Sequence, residues 1–374
     1  MLTKNDIIEK AFELGFADAG FTTAEPFEKH RELLVECGEE YAWAEKVGLA
    51  LLDGSDPRKV HPEAKSIIVL VESYFRGSYP PAIERNFGRC YLDDDRVTKD
   101  GLALRIKAFR SFLRENGIDS KVPFNLPHRA AAVRAGLGGT GRNCLFYSRN
   151  AARKSSWVLP FTVTVDREFA PDTPSAGLDC PEWCRNACIS ACPTRALKGN
   201  CRVDPRKCIS FLSYFGRGIT PLELREPMGM YVYGCDRCQE VCPRNAPWLA
   251  QELPVNAKVA AKAEFFDLQK LLHMDRDYFT AHIWPHMFYM SPDDIWRWKM
   301  NVARVMGNST DEKYTGDLGR AFRENDDPRV RGMAAWALGK IGGHGAKSLL
   351  EQFAEKEGDD MVRAEIDHAL AMSR

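Results

Sequence analysis

Hydrophobic residues along the first half of the chain follow two periods that alternate. Ile7, Ile8 and Phe12 share one face of a helix predicted over residues 3–15, with Thr3 placed to cap it. Residues 66–72 (SIIVLVE) are a short apolar run rich in β-branched residues, the pattern of a buried strand. Leu102, Ile106, Phe109 and Leu113 return to helical spacing, and Gly117 ends that helix. A strand near 118–124, a short helix from Pro127, the glycine-rich turn AGLGGTGRN (135–143) and a strand over 157–165 complete the series. Helices alternating with strands predict an α/β layer domain over residues 1–170.

The pattern then changes twice. Residues 171–250 carry Cys, Pro, Gly and Arg with little apolar periodicity, as in a small domain where metal replaces much of the core. From Asp327-Pro328 the helical period returns. Val330, Met333, Ala334, Ala337, Leu338 and Ile341 line one helix, which Gly342-Gly343 stops. Leu349, Leu350 and Phe353 mark a second, and Val362, Ile366, Ala369 and Leu370 a third, so the 251–374 region reads as an all-α, stacked-repeat tail.

Composition changes this picture little. With 44% hydrophobic and 28% charged residues and a net charge of zero, the 374-residue chain has the make-up of two or three globular domains. That balance makes no global electrostatic case for nucleic acid or an anionic membrane. The N-terminus lacks an uninterrupted apolar core and a twin-arginine pair, so the expectation is a cytoplasmic protein with no membrane span.

The cysteines change it a great deal. Of twelve, eight fall into two spaced sets, while Cys37, Cys90, Cys144 and Cys201 lie outside both. The first set is Cys180-x3-Cys184-x3-Cys188-x3-Cys192-Pro193; the second is Cys235-x2-Cys238-x3-Cys242-Pro243, with Cys208 upstream. In two-cluster ferredoxins three close thiolates wrap one face of a cubane and the fourth, before a proline, reaches the neighbouring cubane. That rule assigns Cys180, Cys184, Cys188 and Cys242 to one [4Fe–4S] cluster and Cys192, Cys208, Cys235 and Cys238 to the other. The first set is stretched by one residue in each of its two early gaps, which predicts a widened loop. Zinc is the alternative for paired C-x2-C thiolates, but eight thiols with two C-x3-C-P endings suit cubanes better.

Several of these stretches carry a further signal. YGCDRCQEVCPRN (233–245), RKCISFLSY (206–214), ACPTRAL (191–197), AGLGGTGRN (135–143), AKSIIVL (64–70), WKMNVARVMGN (298–308) and DDPRVRGMAAWALG (326–339) resemble, in order, the corresponding stretches of epoxyqueuosine reductases. The resemblance implies a cobalamin-binding α/β domain over 1–170, a two-cluster ferredoxin-like domain over 171–250 and a HEAT-like tail over 251–374. It implies electrons passing from a ferredoxin or flavodoxin through the clusters to cobalamin, which then reduces epoxyqueuosine in tRNA. Low-potential clusters suit that task, because cobalt must reach its most nucleophilic state.

The chain departs from the family pattern at two points. No aspartate stands between Asp119 and the AGLG turn where the family places its proton donor; Asn125 and His128 are the nearest polar groups, and an imidazole can donate a proton near neutral pH. The family's tryptophan after AGLG is Gly139. Gly136, Gly138 and Gly141 leave backbone N–H groups open to a large ligand, and with Arg142 and Asn143 they are the candidate cobalamin contacts. A related reductase of a small molecule, or a non-catalytic dicluster electron carrier serving a corrinoid enzyme, are the competing expectations.

Overall fold

The computed structural model describes residues 2–92, 101–176, 180–287 and 289–372. The chain divides into two compact units, each discontinuous in sequence: residues 1–76, 99–205 and 237–253 form the first, and 77–98, 206–236 and 254–374 the second. The cysteine-rich segment is therefore shared, with residues 206–236 in the second unit.

The first unit has strands β1 (Asp18–Thr23), β2 (Ser66–Ser73), β3 (Ser120–Lys121), β4 (Gly138–Thr140), β5 (Phe146–Ser148) and β6 (Val158–Val165). Four of them make one sheet in the order β1-β2-β6-β3, antiparallel throughout, while β4 and β5 pair as a hairpin. All eight residues of β2 are buried. The reason lies in its two faces: Ile68 and Leu70 point into one core with Ile7, Phe21, Phe109 and Val163, and Ile67, Val69 and Val71 into another with Ala131, Leu137 and Phe146. A sheet covered on both sides needs an unbroken apolar run rather than an alternating one.

Helices α1 (Lys4–Glu13) and α2 (Gly101–Glu115) cover the first face, and α3 (His128–Arg134) with the hairpin covers the second. Thr3 caps α1 through a capping box with Asp6. Two expectations need correction. Phe12 is 50% exposed, the buried stripe being Ile7 and Ala11. The strand expected at 118–124 pairs only over Ser120–Lys121, because Pro123 has no N–H to continue the ladder.

In the second unit, helix α4 (Ile209–Phe215) belongs to the cysteine-bearing segment, and α5 (Ile295–Ser309), α6 (Thr315–Glu324), α7 (Pro328–Ile341), α8 (Gly343–Ala354) and α9 (Asp360–Met372) form a stack. Central α7 packs against α5, α6, α8 and α9. It opens under an Asp327 cap and closes where Gly342 takes a φ of 72°. Its apolar stripe is fully buried except at Ile341. Among the described residues no helix is long and apolar enough to cross a membrane.

Candidate metal centre

Cys180, Cys184, Cys188 and Cys242 line one open-mouthed cavity of about 340 Å³ in the first unit, together with Arg142, Asn143, Tyr147 and Arg244. The local sequence explains how three of these thiols turn inward. A short helical turn, Glu182–Cys184, ends at two successive left-handed residues, Arg185 and Asn186, with φ of 48° and 61°. These reverse the chain before the helical turn Ala187–Ser190 presents Cys188. The left-handed pair lies in the second of the two stretched gaps, between Cys184 and Cys188. Cys242 arrives from the other end of the segment, after the turn Arg237–Glu240, and its carbonyl accepts from Asn245 N–H at 2.9 Å.

The thiols surround a space rather than a point: among the described residues no three His, Cys, Asp or Glu side chains are gathered closely enough to share a single ion. Burial, with Cys242, Cys180 and Cys184 as neighbours, pushes the Cys188 thiol up to about 11. A cationic cluster that takes the thiolate's charge offsets that burial. Two protein donors already face the sulfurs. Arg142 N–H donates to Cys180 Sγ at 3.3 Å, and the Tyr147 hydroxyl to Cys242 Sγ at 3.1 Å. The residues present fit a cubane.

The other four thiols are built by separate local devices. Cys192 Sγ accepts from Ala196 N–H at 3.3 Å, and the Cys238 carbonyl accepts from the Asn143 amide, also at 3.3 Å. Both belong to the first unit, whereas Cys208 and Cys235 belong to the second. Cys208 precedes α4 as its N-terminal boundary residue. Cys235 sits between Gly234, whose N–H donates to Ser213 Oγ at 3.0 Å, and buried Asp236, which accepts from Arg89 N–H at 2.8 Å.

The candidate cobalamin contacts are engaged within the chain. A Cβ on Gly136 would stand 2.5 Å from the Thr173 carbonyl, one on Gly138 2.0 Å from the Tyr147 carbonyl, and one on Gly141 2.4 Å from the Tyr147 ring. Arg142 bonds Asn186 through its guanidinium, and Asn143 bonds Tyr147. Of this turn, Arg142 and Asn143 line the four-cysteine cavity. Asn125 donates to the Ala50 carbonyl at 2.9 Å, and the His128 ring, at the start of α3, meets Thr162 Oγ1 at 3.0 Å through Nδ1.

Sequence reasoning missed two sets of residues. Tyr147 gave no signal, since nothing in a hairpin pattern distinguishes a sulfur donor from a core aromatic. The second set left a trace in its spacing: Arg297, Asn301, Arg304 and Asn308 repeat at 4, 3 and 4 residues along α5. Each reaches backbone carbonyls of the 206–236 segment. Arg297 donates to Gly216 at 2.6 Å, Asn301 to Ser213 and Val232 at 2.9 and 3.0 Å, Arg304 to Gly229 at 2.9 Å and to Tyr231, and Asn308 to Arg225 and Gly229, both at 2.8 Å. This polar stripe, buried at Arg297, Asn301 and Arg304, holds the loop that carries Cys208 and Cys235.

Residues 180–245 match the model of the 4Fe-4S double cluster binding domain, and residues 290–371 that of HEAT repeats. The epoxyqueuosine reductase of Staphylococcus aureus is 30% identical, over 95% of this chain and 93% of that protein. The chain belongs to the epoxyqueuosine reductase family. A crystal structure of an epoxyqueuosine reductase with an epoxyqueuosine-modified tRNA-Tyr stem loop is 26% identical, covers 99% of this chain and has a TM-score of 0.81. The Bacillus subtilis epoxyqueuosine reductase, with the loop of its catalytic aspartate swung out of the active site, is 27% identical with a TM-score of 0.78. Family membership makes the chain an iron–sulfur oxidoreductase with a double [4Fe–4S] domain and a helical-repeat region. The resemblance seen in the seven sequence stretches thus extends over nearly the full length.

Proposed function

We propose that the chain reduces epoxyqueuosine in tRNA to queuosine, taking electrons from a ferredoxin or flavodoxin through two [4Fe–4S] clusters. The cavity enclosed by Cys180, Cys184, Cys188 and Cys242 carries this reading, because it draws ligands from both ends of a segment matching the double-cluster domain. Crossed ligation of that kind brings two cubanes together for electron transfer. The second set in the proposal is Cys192, Cys208, Cys235 and Cys238.

Cobalamin belongs to the proposal through the family resemblance: when bound, it supplies a strongly reducing, nucleophilic cobalt. Gly136, Gly138, Gly141, Arg142 and Asn143 enter the proposal as its contacts through the same resemblance; at the three glycines neighbouring chain stands where a side chain would, and Arg142 bonds Asn186.

Proton delivery falls to His128. Removing an epoxide oxygen requires an acid near the leaving group, and the segment from Lys121 to Gly138 contains no carboxyl side chain. Asn125 cannot titrate and is tied to Ala50, so its role is to hold the loop. The His128 imidazole has a ring nitrogen able to carry a proton, and Thr162 fixes its ring through Nδ1.

Anaerobically reconstituted protein, supplied with cobalamin, reductant and epoxyqueuosine-containing tRNA, tests the whole reading. Mass spectrometry of the digested tRNA is expected to show loss of one oxygen. Full iron content and corrinoid uptake without that change would remove the substrate assignment. Full iron content without corrinoid uptake would favour the electron-carrier alternative.

A further inference from the structure

Tyr147 borders the four-cysteine cavity without supplying a ligand, and its hydroxyl proton has a defined direction. Leu145 N–H donates to Asn143 Oδ1 at 3.2 Å, which fixes the amide so that Nδ2 faces the Tyr147 oxygen at 2.9 Å. The phenol oxygen accepts there, with the Ser156 hydroxyl as a further hydrogen-bond partner, and its own proton points to Cys242 Sγ, 3.1 Å away. The ring is 3% exposed and lies against Gly141, where any side chain would collide with it. The Arg244 guanidinium stands 5.1 Å from the ring centroid. Sequence, turn and packing therefore combine to aim one hydroxyl at one ligand sulfur.

Reduction of a [4Fe–4S] cluster adds an electron whose charge is shared with the thiolate sulfurs. A donor facing such a sulfur stabilises the reduced state more than the oxidised one, and in a dry site that preference is strengthened. We propose that Tyr147 is a positioning residue that raises the reduction potential of the cluster held by Cys180, Cys184, Cys188 and Cys242 through its bond to Cys242 Sγ. The inference rests on the cluster assignment above and deepens it: this hydroxyl serves the first cluster, at Cys242. Arg142 N–H gives the same cluster a second donor, at Cys180, which no side-chain change removes.

The test is a redox titration of the reconstituted protein followed by electron paramagnetic resonance, comparing wild type, Tyr147→Phe, and protein with 3,5-difluorotyrosine at position 147. Phenylalanine is expected to shift one cluster to more negative potential and leave the other in place. The fluorinated phenol, a stronger donor of nearly the same shape, is expected to shift that cluster the opposite way. A tenfold change in the ratio of reduced to oxidised cluster at fixed potential corresponds to about 59 mV for one electron. Clusters present with potentials unmoved in both variants, or both clusters shifted alike, overturn the role of Tyr147 while leaving the clusters standing. Wild-type protein that assembles no clusters removes both readings. Should Tyr147→Phe fail to assemble, the fluorinated protein decides alone.

Discussion

Arg225 and Glu365 form a two-pronged ion pair, at 2.6 and 2.5 Å, between the cysteine-bearing segment of the second unit and its last helix. Arg225 is 2% exposed and also lies over the Trp336 ring of α7. Breaking a buried pair strands a charge at a cost of roughly 3–5 kcal/mol, whereas replacing both members by apolar groups is often neutral. Glu365→Ala is expected to lower the unfolding temperature sharply, and Arg225→Met with Glu365→Leu to recover most of the loss. A double variant no better than the single one would show that packing on Trp336, rather than charge, is what the pair provides.

Asn301 offers a more local test. Its amide donates to two carbonyls, of Ser213 and Val232, that flank the loop between Cys208 and Cys235. An Asn301→Leu side chain has similar size but leaves both carbonyls short of a donor, at about 1–3 kcal/mol each. The expected outcome is a folded protein that holds fewer than its full complement of about eight irons. Iron analysis with circular dichroism reads this directly. Full iron content in a folded variant would mean the carbonyls find other donors.

How far the sequence disclosed this architecture depends on the kind of signal each residue carries. The β2 run, the α2 stripe and the α7 stripe were legible because burial by a sheet or helix imposes a period on the chain. The cysteines were legible because ligation imposes spacing. Phe12 misled because helical spacing names a face without saying how wide the covered part is. The interleaving of the two units was hidden, since nothing local marks that residues 77–92 and 206–236 pack with the tail. Asn301 and Arg304 look like surface residues by type; only their shared face on α5 betrays that they bond a loop. Gly138 and Gly141 carry a packing role that no pattern marks, because Tyr147 stands where their side chains would be.

Acid should loosen the start of α7 through Asp327. Burial alone would raise its carboxyl, but hydrogen bonds from the Arg329 side chain and N–H outweigh that and hold it below the ordinary carboxylate value. A carboxyl lowered in the folded state contributes stability above its unfolded value, near pH 4, and loses that contribution as pH falls through the lowered one. Asp327→Asn keeps a capping oxygen and removes the titration. Unfolding temperatures of wild type and variant are expected to converge as pH drops from about 5 toward 2. Parallel curves over that range would place the acid sensitivity elsewhere, such as at Glu357, whose pairing with Arg331 also holds it low despite burial.

The ligand exchange between the two cysteine sets has the clearest signature of all. If Cys242 shares a cubane with Cys180, Cys184 and Cys188, with which it lines one cavity, then Cys188→Ala and Cys242→Ala must abolish the same paramagnetic signal. Cys192→Ala must abolish the other, although Cys192 is only four residues from Cys188. Cys201, whose thiol bonds the Gly141 carbonyl at 3.5 Å, supplies the control: Cys201→Ala should keep both signals and all the iron. Each loss should remove about four of about eight irons. Were Cys192→Ala to silence the signal that Cys188→Ala silences, and Cys242→Ala the other one, the two sets would each hold their own cluster. The chain would then place its cubanes by simple sequence order.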